Sequence, residues 1–253
     1  MNLLAVPALG DNYIWLLADG DDNAVCVDPG ETAPVLAALA RTQWRLRAIL
    51  LTHHHADHVG GAAALAEATG AVIHAPHDER IACADVRVAD GEHIEPAGTA
   101  MAFDAIAVPG HTLSHVAYVG MGALFCGDTL FSVGCGRLFE GTPAQMLASL
   151  DRLRALPGAT RVCCGHEYTL ANCAFARSLD PDNADLAARE AQVRALRARG
   201  EPSLPSTLDS ECACNPFLRV DAPALVAALG DASRVERFAE LRRRKDAYKA
   251  PAA

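Results

Sequence analysis

The sequence contains no apolar run near the length of about 20 residues that a membrane-spanning helix needs. It opens without the basic and apolar segments of a secretory signal, and its nine cysteines form no disulfide-like framework. Basic residues are not in excess either, since 22 Lys and Arg stand against 31 Asp and Glu, a net charge of -9. We therefore expect a cytoplasmic protein that binds neither membrane nor nucleic acid.

The cysteines also lack the spacing of a thiolate metal site. Cys163 and Cys164 are adjacent, and Cys212 and Cys214 are separated by one residue, so neither pair matches the CxxC pattern of zinc-binding segments. We interpret these cysteines as small buried hydrophobic residues. Any metal bound by this chain is thus expected to use nitrogen and oxygen ligands.

The sequence does contain a dense histidine cluster, Thr52-His53-His54-His55-Ala56-Asp57-His58, directly after an apolar run at residues 48–51 that predicts a buried strand. Side chains two residues apart in an extended segment point the same way, so His53 and His55 can converge on one cation. Asp57 and His58 begin the following turn and can reach a second cation. His54 faces the other way and is expected to be structural. An accidental histidine-rich turn is the alternative.

Three later strand ends carry the additional ligands that such a cluster needs. His111, Asp128 and His166 each follow a short apolar run and a glycine, which permits a tight turn near a metal. We expect His111 to join His53 and His55, His166 to join Asp57 and His58, and Asp128 to bridge two ions. Imidazole and carboxylate ligands suit zinc, with iron or manganese as alternatives.

Other polar residues near these strand ends are expected to support the ligands. Asp28 follows a strand predicted at residues 24–27, where it can orient a ligand histidine; direct ligation is the alternative. His115 is expected to pack against or support the site. His74, His77 and His93 lack glycine-flanked strand ends and are interpreted as non-ligands.

Alternating strands and helices in two successive runs predict an α/β fold, an αββα sandwich of two mixed sheets with helices outside. After about Tyr168 the pattern changes to helices only, at residues 172–179, 184–199, 223–228 and 235–249. We therefore predict a catalytic domain over residues 1–170 and a helical substrate-binding domain over residues 171–253. Residues 233–253 have a net charge of +4, which indicates a local anion site.

These motifs resemble the metallo-β-lactamase superfamily of binuclear hydrolases and, within it, the glyoxalase II family of hydroxyacylglutathione hydrolases. The metal motif alone says little about substrate, because nucleases, lactonases, sulfatases and dioxygenases share it. The resemblance to the glutathione thioesterases is carried by residues 11–15, 27–30, 134–142, 164–169, 215–219 and 242–249. It covers nearly the whole chain and implies the metallo-β-lactamase sandwich fold.

The resemblance also implies which residues bind glutathione. Arg242 and Lys245, at positions i and i+3 of one helix face, would meet the glycine carboxylate. Phe139 stands where relatives carry tyrosine, so a hydroxyl contact to the peptide is missing or replaced. Arg137 stands where some relatives have lysine, which keeps the charge. The full implied substrate-binding set is Arg137, Leu138, Phe139, His166, Tyr168, Arg242 and Lys245.

The implied reaction is hydrolysis of S-(2-hydroxyacyl)glutathione, foremost S-D-lactoylglutathione, to glutathione and a 2-hydroxy carboxylate (D-lactate), the second step of methylglyoxal detoxification. Two divalent ions about 3.5 Å apart can share a hydroxide and lower its pKa toward about 7, and they can stabilise the oxyanion formed by its attack. Asp57 and Asp128 would be the catalytic carboxylates. A thiolate leaves near its pKa of about 8.5, so a dedicated general acid is less necessary.

Other functions on the same fold remain as alternatives. A lactonase or another thioesterase would share the metal motif. A β-lactamase should be exported, and an iron persulfide dioxygenase should use fewer than the seven candidate ligands present here. A non-enzymatic metal-binding or glutathione-binding protein would not need so complete a ligand set. We expect a monomer whose partner is the small-molecule thioester.

Overall fold

The computed structural model describes residues 2–249, which form two compact units that alternate along the chain. The first unit comprises the chain up to Ala107, together with Ser114–Gly127 and Cys163–Glu167. The second comprises Val108–Leu113, Asp128–Val162 and the chain from Tyr168 onward. The contiguous domains expected over residues 1–170 and 171–253 stay a prediction.

The first unit contains a six-stranded mixed sheet. Its strands are β1 (Asn2–Ala8), β2 (Asn12–Ala18), β3 (Asn23–Val27), β4 (Arg45–Leu50), β5 (Val72–Pro76) and β6 (Val86–Val88). They lie in sequence order, antiparallel from β1 to β3 and parallel from β3 to β6. Every residue of β2 and β3 is buried, as expected of strands covered on both faces.

Three helices of this unit occur in the chain connections between parallel strands. They are α1 (Thr32–Thr42), which follows β3, and α2 (Ala56–Val59) and α3 (Ala62–Thr69), which follow β4. α1 buries Val35, Ala38 and Leu39, whose spacing of three and four residues puts them on one helix face. These side chains belong to the hydrophobic core that includes Leu16 and Ile49. The single turn α2 was not predicted from the sequence, and it carries the second half of the histidine cluster.

An antiparallel sheet completes the first unit, with β7 (His93–Ile94), β8 (Phe103–Ala107), β9 (Val116–Gly120) and β10 (Ala123–Gly127) paired in sequence order. The loop between β9 and β10 is the pair Met121-Gly122, and both residues have positive φ, which matches the twist of a tight hairpin. Strand β13 (Arg161–Cys164) leads into Gly165, whose amide donates to the Gly127 carbonyl at the end of β10.

The second unit contains the hairpin β11 (Leu130–Phe131) and β12 (Gly134–Cys135) and is otherwise mainly helical. Its helices are α4 (Pro143–Arg154), α5 (Thr169–Leu179), α6 (Ala184–Ala198), α7 (Leu208–Cys214), α8 (Pro223–Leu229) and α9 (Arg234–Ala247). Strand β14 (Ser206–Thr207) pairs with the first two residues of β13. The expectation of helices alone after Tyr168 was therefore wrong at β14, and α7 was missed. Within residues 2–249, no helix has the length and apolarity needed to cross a membrane.

Helix α9 carries Arg242 and Lys245, and a capping box holds its first turn. Ser233 Oγ accepts from the Glu236 amide, and the Glu236 carboxylate accepts from the Ser233 amide. We predict that Ser233→Ala lowers the free energy of unfolding by about 1 kcal/mol, because the Glu236 amide in the first turn loses its acceptor. Denaturant unfolding measures this loss. Ser233→Thr, which retains a hydroxyl, is the control, and equal stability of both variants would contradict the prediction.

Candidate active site

Three predicted ligands converge in the first unit. Asp57 Oδ2 lies 3.5 Å from His58 Nε2 and 3.3 Å from His166 Nε2. One ligand atom from each residue lies within 4.8 Å of the other two. Both imidazoles are buried and the carboxylate is partly exposed. This grouping of two nitrogens and one oxygen suits a divalent metal ion, with a side open for further ligands.

The other ring nitrogen of each of these imidazoles donates to a carboxylate. His58 Nδ1 is 2.9 Å from Asp28 Oδ2, and His166 Nδ1 is 2.8 Å from Asp11 Oδ1. A carboxylate at Nδ1 fixes the tautomer that leaves the Nε2 lone pair available and makes that nitrogen a stronger donor to a metal. The donor set therefore fits a metal ion. The contact of Asp28 with His58 also agrees with the orienting role expected from the sequence.

His53 and His55 bring a second pair of donor atoms together in the same unit. His53 Nε2 lies 3.1 Å from His55 Nδ1, as expected for side chains two residues apart that face one point. His53 Nδ1 lies 3.0 Å from Thr52 Oγ1, and the His115 ring stacks on His53 with centroids 4.6 Å apart. His115 thus supports the cluster by packing, as predicted.

The histidines interpreted as non-ligands lie in other surroundings. His54 Nδ1 is 3.5 Å from the carboxylate of Asp78, whose pKa is held well below its usual range by hydrogen bonds from Arg80 and also from Ser114. Burial lowers the pKa of His74, and His93 pairs with Asp104. Among residues 2–249, none of the candidate metal groups includes His54, His74, His77 or His93.

His111 and Asp128 face each other in the second unit, with His111 Nε2 3.5 Å from Asp128 Oδ2. The opposite nitrogen, His111 Nδ1, donates to the Arg137 carbonyl at 2.9 Å. The lack of a side chain at Gly136 leaves room for both residues, because a Cβ atom there would lie 1.8 Å from the Asp128 carbonyl oxygen and 3.2 Å from His111 Nδ1. His111 therefore shows the same arrangement as His58 and His166, in which one nitrogen is fixed and the other points at a carboxylate.

A cavity of about 460 Å³ opens beside His111 and Asp128 in the second unit. Both residues line it, and so do five of the seven side chains expected to bind substrate: Arg137, Phe139, Tyr168, Arg242 and Lys245. Leu138 and His166, the other two of that set, are not among its lining residues. The cavity thus brings two candidate metal ligands together with the predicted cationic pair on α9.

The three cations of this pocket differ in exposure. The Arg242 side chain is buried, with Nη1 2.7 Å from the Cys135 carbonyl and Nη2 2.8 Å from Asp246 Oδ1. Lys245 Nζ lies over the Phe175 ring, and burial together with the charge of Arg242 lowers the pKa of Lys245 to about 8. The side chain of Arg137 is 65% exposed, and its Nε lies 3.6 Å from Asp246.

Two other pocket residues have distinct surroundings. The Phe139 side chain is 63% exposed, and its ring lies 5.2 Å from the ring of His111. Cys135 lines the cavity but is buried, and this burial raises the pKa of its thiol to about 11. Asn12, Asp11 and Asp246 were not identified as functional from the sequence. Asn12 Nδ2 donates to Asp57 Oδ2 at 3.0 Å, and the signal for it was its place in residues 11–15, one of the segments that carry the family resemblance.

The sheets, the flanking helices and the histidine and carboxylate groups define a protein of the metallo-β-lactamase superfamily. The family model described as "Metallo-beta-lactamase superfamily" matches residues 8–166, and the model "Hydroxyacylglutathione hydrolase C-terminus" matches residues 167–248. The expected αββα fold with a C-terminal helical region is thereby confirmed.

Relatives that align with nearly the whole chain identify the family within this superfamily. The hydroxyacylglutathione hydrolase of Xanthomonas campestris pv. campestris (strain B100) is 53% identical over 257 residues, covering 99% of this chain and 100% of the relative. That of Yersinia enterocolitica is 50% identical over 253 residues, with 98% and 100% coverage. The chain belongs to the hydroxyacylglutathione hydrolase family, as the sequence motifs predicted.

Solved structures agree with this fold. ETHE1 from Myxococcus xanthus superposes with a TM-score of 0.69 at 25% identity and covers 95% of this chain and 90% of its own. BLEG-1 B3 metallo-β-lactamase has a TM-score of 0.67 at 23% identity, with 86% and 100% coverage, a likeness of fold alone. TTHA1623, solved in a di-iron-bound form, is 30% identical, with a TM-score of 0.54 and coverage of 66% of this chain and 92% of its own.

We predict that Asp28→Asn weakens metal binding by about 10-fold to 100-fold, because the carboxylate that fixes the His58 ring loses its charge. Asparagine tolerates the positive φ of Asp28, so the backbone is expected to stay in place. Metal content after dialysis against graded chelator measures the change. Asp19→Asn is the matched control, a buried carboxylate of the same unit bonded to the amides of Asp21 and Asn23. Equal metal retention in both variants would refute an orienting role for Asp28.

Proposed function

We propose that this chain hydrolyses the thioester of S-(2-hydroxyacyl)glutathione, with S-D-lactoylglutathione as the principal substrate, to glutathione and a 2-hydroxy carboxylate such as D-lactate. The pocket of the second unit supports this proposal most directly, since one cavity is lined by His111 and Asp128 and by Arg242 and Lys245. A substrate that carries both a hydrolysable acyl group and remote carboxylates matches such a lining. The relatives at 50% to 53% identity are named for this reaction.

We propose that His53, His55 and His111 hold one divalent ion, that Asp57, His58 and His166 hold another, and that Asp128 is shared. The contacts at the far nitrogens of His58, His111 and His166 support this set. Zinc is the proposed metal, with iron or manganese as alternatives. When bound, two such ions supply a nucleophilic hydroxide at neutral pH and stabilise negative charge on the carbonyl oxygen.

The chain's own residues orient the water and the substrate. Asp57 and Asp128 are proposed to act in catalysis by accepting hydrogen bonds from the attacking water. Arg137, Arg242 and Lys245 give the pocket a positive charge that attracts the carboxylates of glutathione. Leu138, Phe139, His166 and Tyr168 complete the proposed substrate-binding set. Glutathione leaves as a thiolate, whose ordinary pKa of about 8.5 makes a dedicated general acid less necessary.

Further parts of the proposal concern the organisation of the protein. We propose that residues 1–170 carry the metal chemistry and that residues 171–253 bind the glutathione part of the substrate. The position of Arg242 and Lys245 at the cavity supports the second assignment. We also propose that the enzyme acts in the cytoplasm, because its nine cysteines form no disulfide-like framework, and that it acts as a monomer.

We predict that metal-loaded protein hydrolyses S-D-lactoylglutathione, observed as loss of thioester absorbance, and that chelator treatment abolishes the activity.

The double variant Arg242→Ala, Lys245→Ala is expected to raise KM by about 100-fold, because each lost charge-assisted contact costs about 1.5 kcal/mol. The matched control is Arg243→Ala, Arg244→Ala on the same helix, since neither residue lines the cavity. If folded protein that holds two metals hydrolyses no thioester, the proposal that glutathione thioesters are its substrates would be overturned. Lactones and other esters would then be tested.

The pKa of Lys245 predicts a pH dependence of substrate binding. Lys245 is protonated below its pKa of about 8 and loses its charge as the pH rises through that value. We therefore expect KM to rise between about pH 7.5 and 9 as one pocket cation is neutralised. In Lys245→Arg the guanidinium remains charged over this range, so its KM should stay nearly constant. An identical rise of KM in both proteins would assign the effect to the substrate or to another group.

A further inference from the structure

Glu211 is a fully buried carboxylate in the second unit, and it lies outside the pocket lining. Its Oε1 accepts from Ser132 Oγ at 2.8 Å and Ser206 Oγ at 2.6 Å. Its Oε2 accepts from the Val133 amide at 2.7 Å and Asn215 Nδ2 at 3.1 Å. A buried charge is costly unless it is well bonded, and these four neutral donors satisfy both oxygens.

Two of these donors belong to the turn between β11 and β12. That turn has an unfavourable backbone, because Val133 has a φ of 58°, in the left-handed region that β-branched residues rarely adopt. Such a conformation persists only where the surrounding contacts over-determine it. The bond from the Val133 amide to Glu211 is one of those contacts, and it acts on the strained residue itself.

Further side chains hold the same turn. Asn172 Nδ2 donates to the Ser132 carbonyl at 3.0 Å, and Asn215 Nδ2 lies 3.0 Å from the carbonyls of Phe131 and Gly134. Arg189 Nη2 donates to Ser132 Oγ at 3.2 Å. Helices α5, α6 and α7 thus each contribute a side chain to the turn. Glu211 is the central acceptor, since it binds Ser132, Val133 and Asn215 at once.

The strands of the β11–β12 hairpin connect this turn to the pocket. The Phe131 ring packs edge-on against Tyr168 at 5.3 Å, and the Cys135 carbonyl accepts from Arg242 Nη1. All four of these residues line the cavity. A shift of the turn would therefore move an aromatic wall and the acceptor that orients the Arg242 guanidinium.

We propose that Glu211 is a positioning residue for the glutathione pocket, acting through the Ser132-Val133 turn on Tyr168 and Arg242. This inference rests on the proposed function, because it assigns glutathione to the cavity. Glu211 itself does not touch the cavity, so it acts on ligand affinity and not on the reacting atoms.

The test measures the Kd of glutathione by calorimetry on metal-loaded Glu211→Ala, together with KM and kcat for the thioester. We expect Kd and KM to rise about tenfold while kcat changes less than about threefold, since small displacements of binding groups have effects of this order. Glu211→Gln keeps the size but replaces one acceptor oxygen by an amide nitrogen, so about a threefold rise is expected. If Glu211→Ala does not fold, the Gln variant decides, and an unchanged Kd there overturns the proposal.

Asp180→Ala is the matched control, because Asp180 is a buried carboxylate of the same unit that binds Arg219 and Asn183 and does not line the cavity. Equal changes of Kd in the Glu211 and Asp180 variants would show a general loss of stability and overturn the positioning role. Wild-type protein that neither binds glutathione nor cleaves the thioester would instead overturn the proposed function, so the two failures are distinguishable.

Discussion

The carboxylate of Asp28 links the end of one parallel strand to the histidine cluster that follows the next. Its oxygens accept from the Thr52 amide at 2.8 Å, from Thr52 Oγ1 at 2.6 Å and from His58 Nδ1 at 2.9 Å. The pairing of β3 with β4 sets Val27 beside Leu50, so the residues that follow meet at one edge of the sheet. Buried imidazoles need such acceptors, and the candidate metal group of the first unit depends on this one.

The same principle recurs at three other candidate ligands. His166 has Asp11, His111 has the Arg137 carbonyl and His53 has Thr52, so each ring is fixed through one nitrogen. Asp28, Asp11 and Arg137 are distant in sequence from the histidines that they bond, whereas Thr52 is the neighbour of His53. Hydrogen bonds of this kind restrict the rings, which reduces the ordering that binding a metal ion requires.

The sequence was sufficient to single out candidate ligands whose signal is local. His53, His55, Asp57 and His58 share one segment, and His111, Asp128 and His166 follow apolar runs with glycine. It was insufficient for partners defined by tertiary contact. Asp11 lies 155 residues from His166, and Glu211 lies 78 residues from Val133, so no spacing rule connects them. The i, i+3 pattern placed Arg242 and Lys245 on one face, but it could not show that Arg242 is engaged by Cys135 and Asp246.

Secondary structure could likewise be predicted where the sequence signal was local, and it was missed where it depended on tertiary contacts. The apolar run at residues 48–51 predicted β4, and the helices predicted at 172–179, 184–199, 223–228 and 235–249 correspond to α5, α6, α8 and α9. Two-residue strands such as β7 and β14 are too short for any periodicity to appear, and they form only because a neighbouring strand supplies the hydrogen bonds. Helix α7 buries Leu208, Glu211 and Cys214, and a buried glutamate on its core face obscured the apolar pattern.

The buried thiol of Cys135 has a consequence for redox behaviour. At a pKa of about 11, only about one molecule in 10⁴ carries the thiolate at neutral pH, and the thiolate is the species that attacks disulfides. A pocket that receives glutathione also meets its oxidised dimer, which would form a mixed disulfide with an ionised cysteine. Burial keeps Cys135 unreactive, so the enzyme would keep its pocket open under oxidising stress.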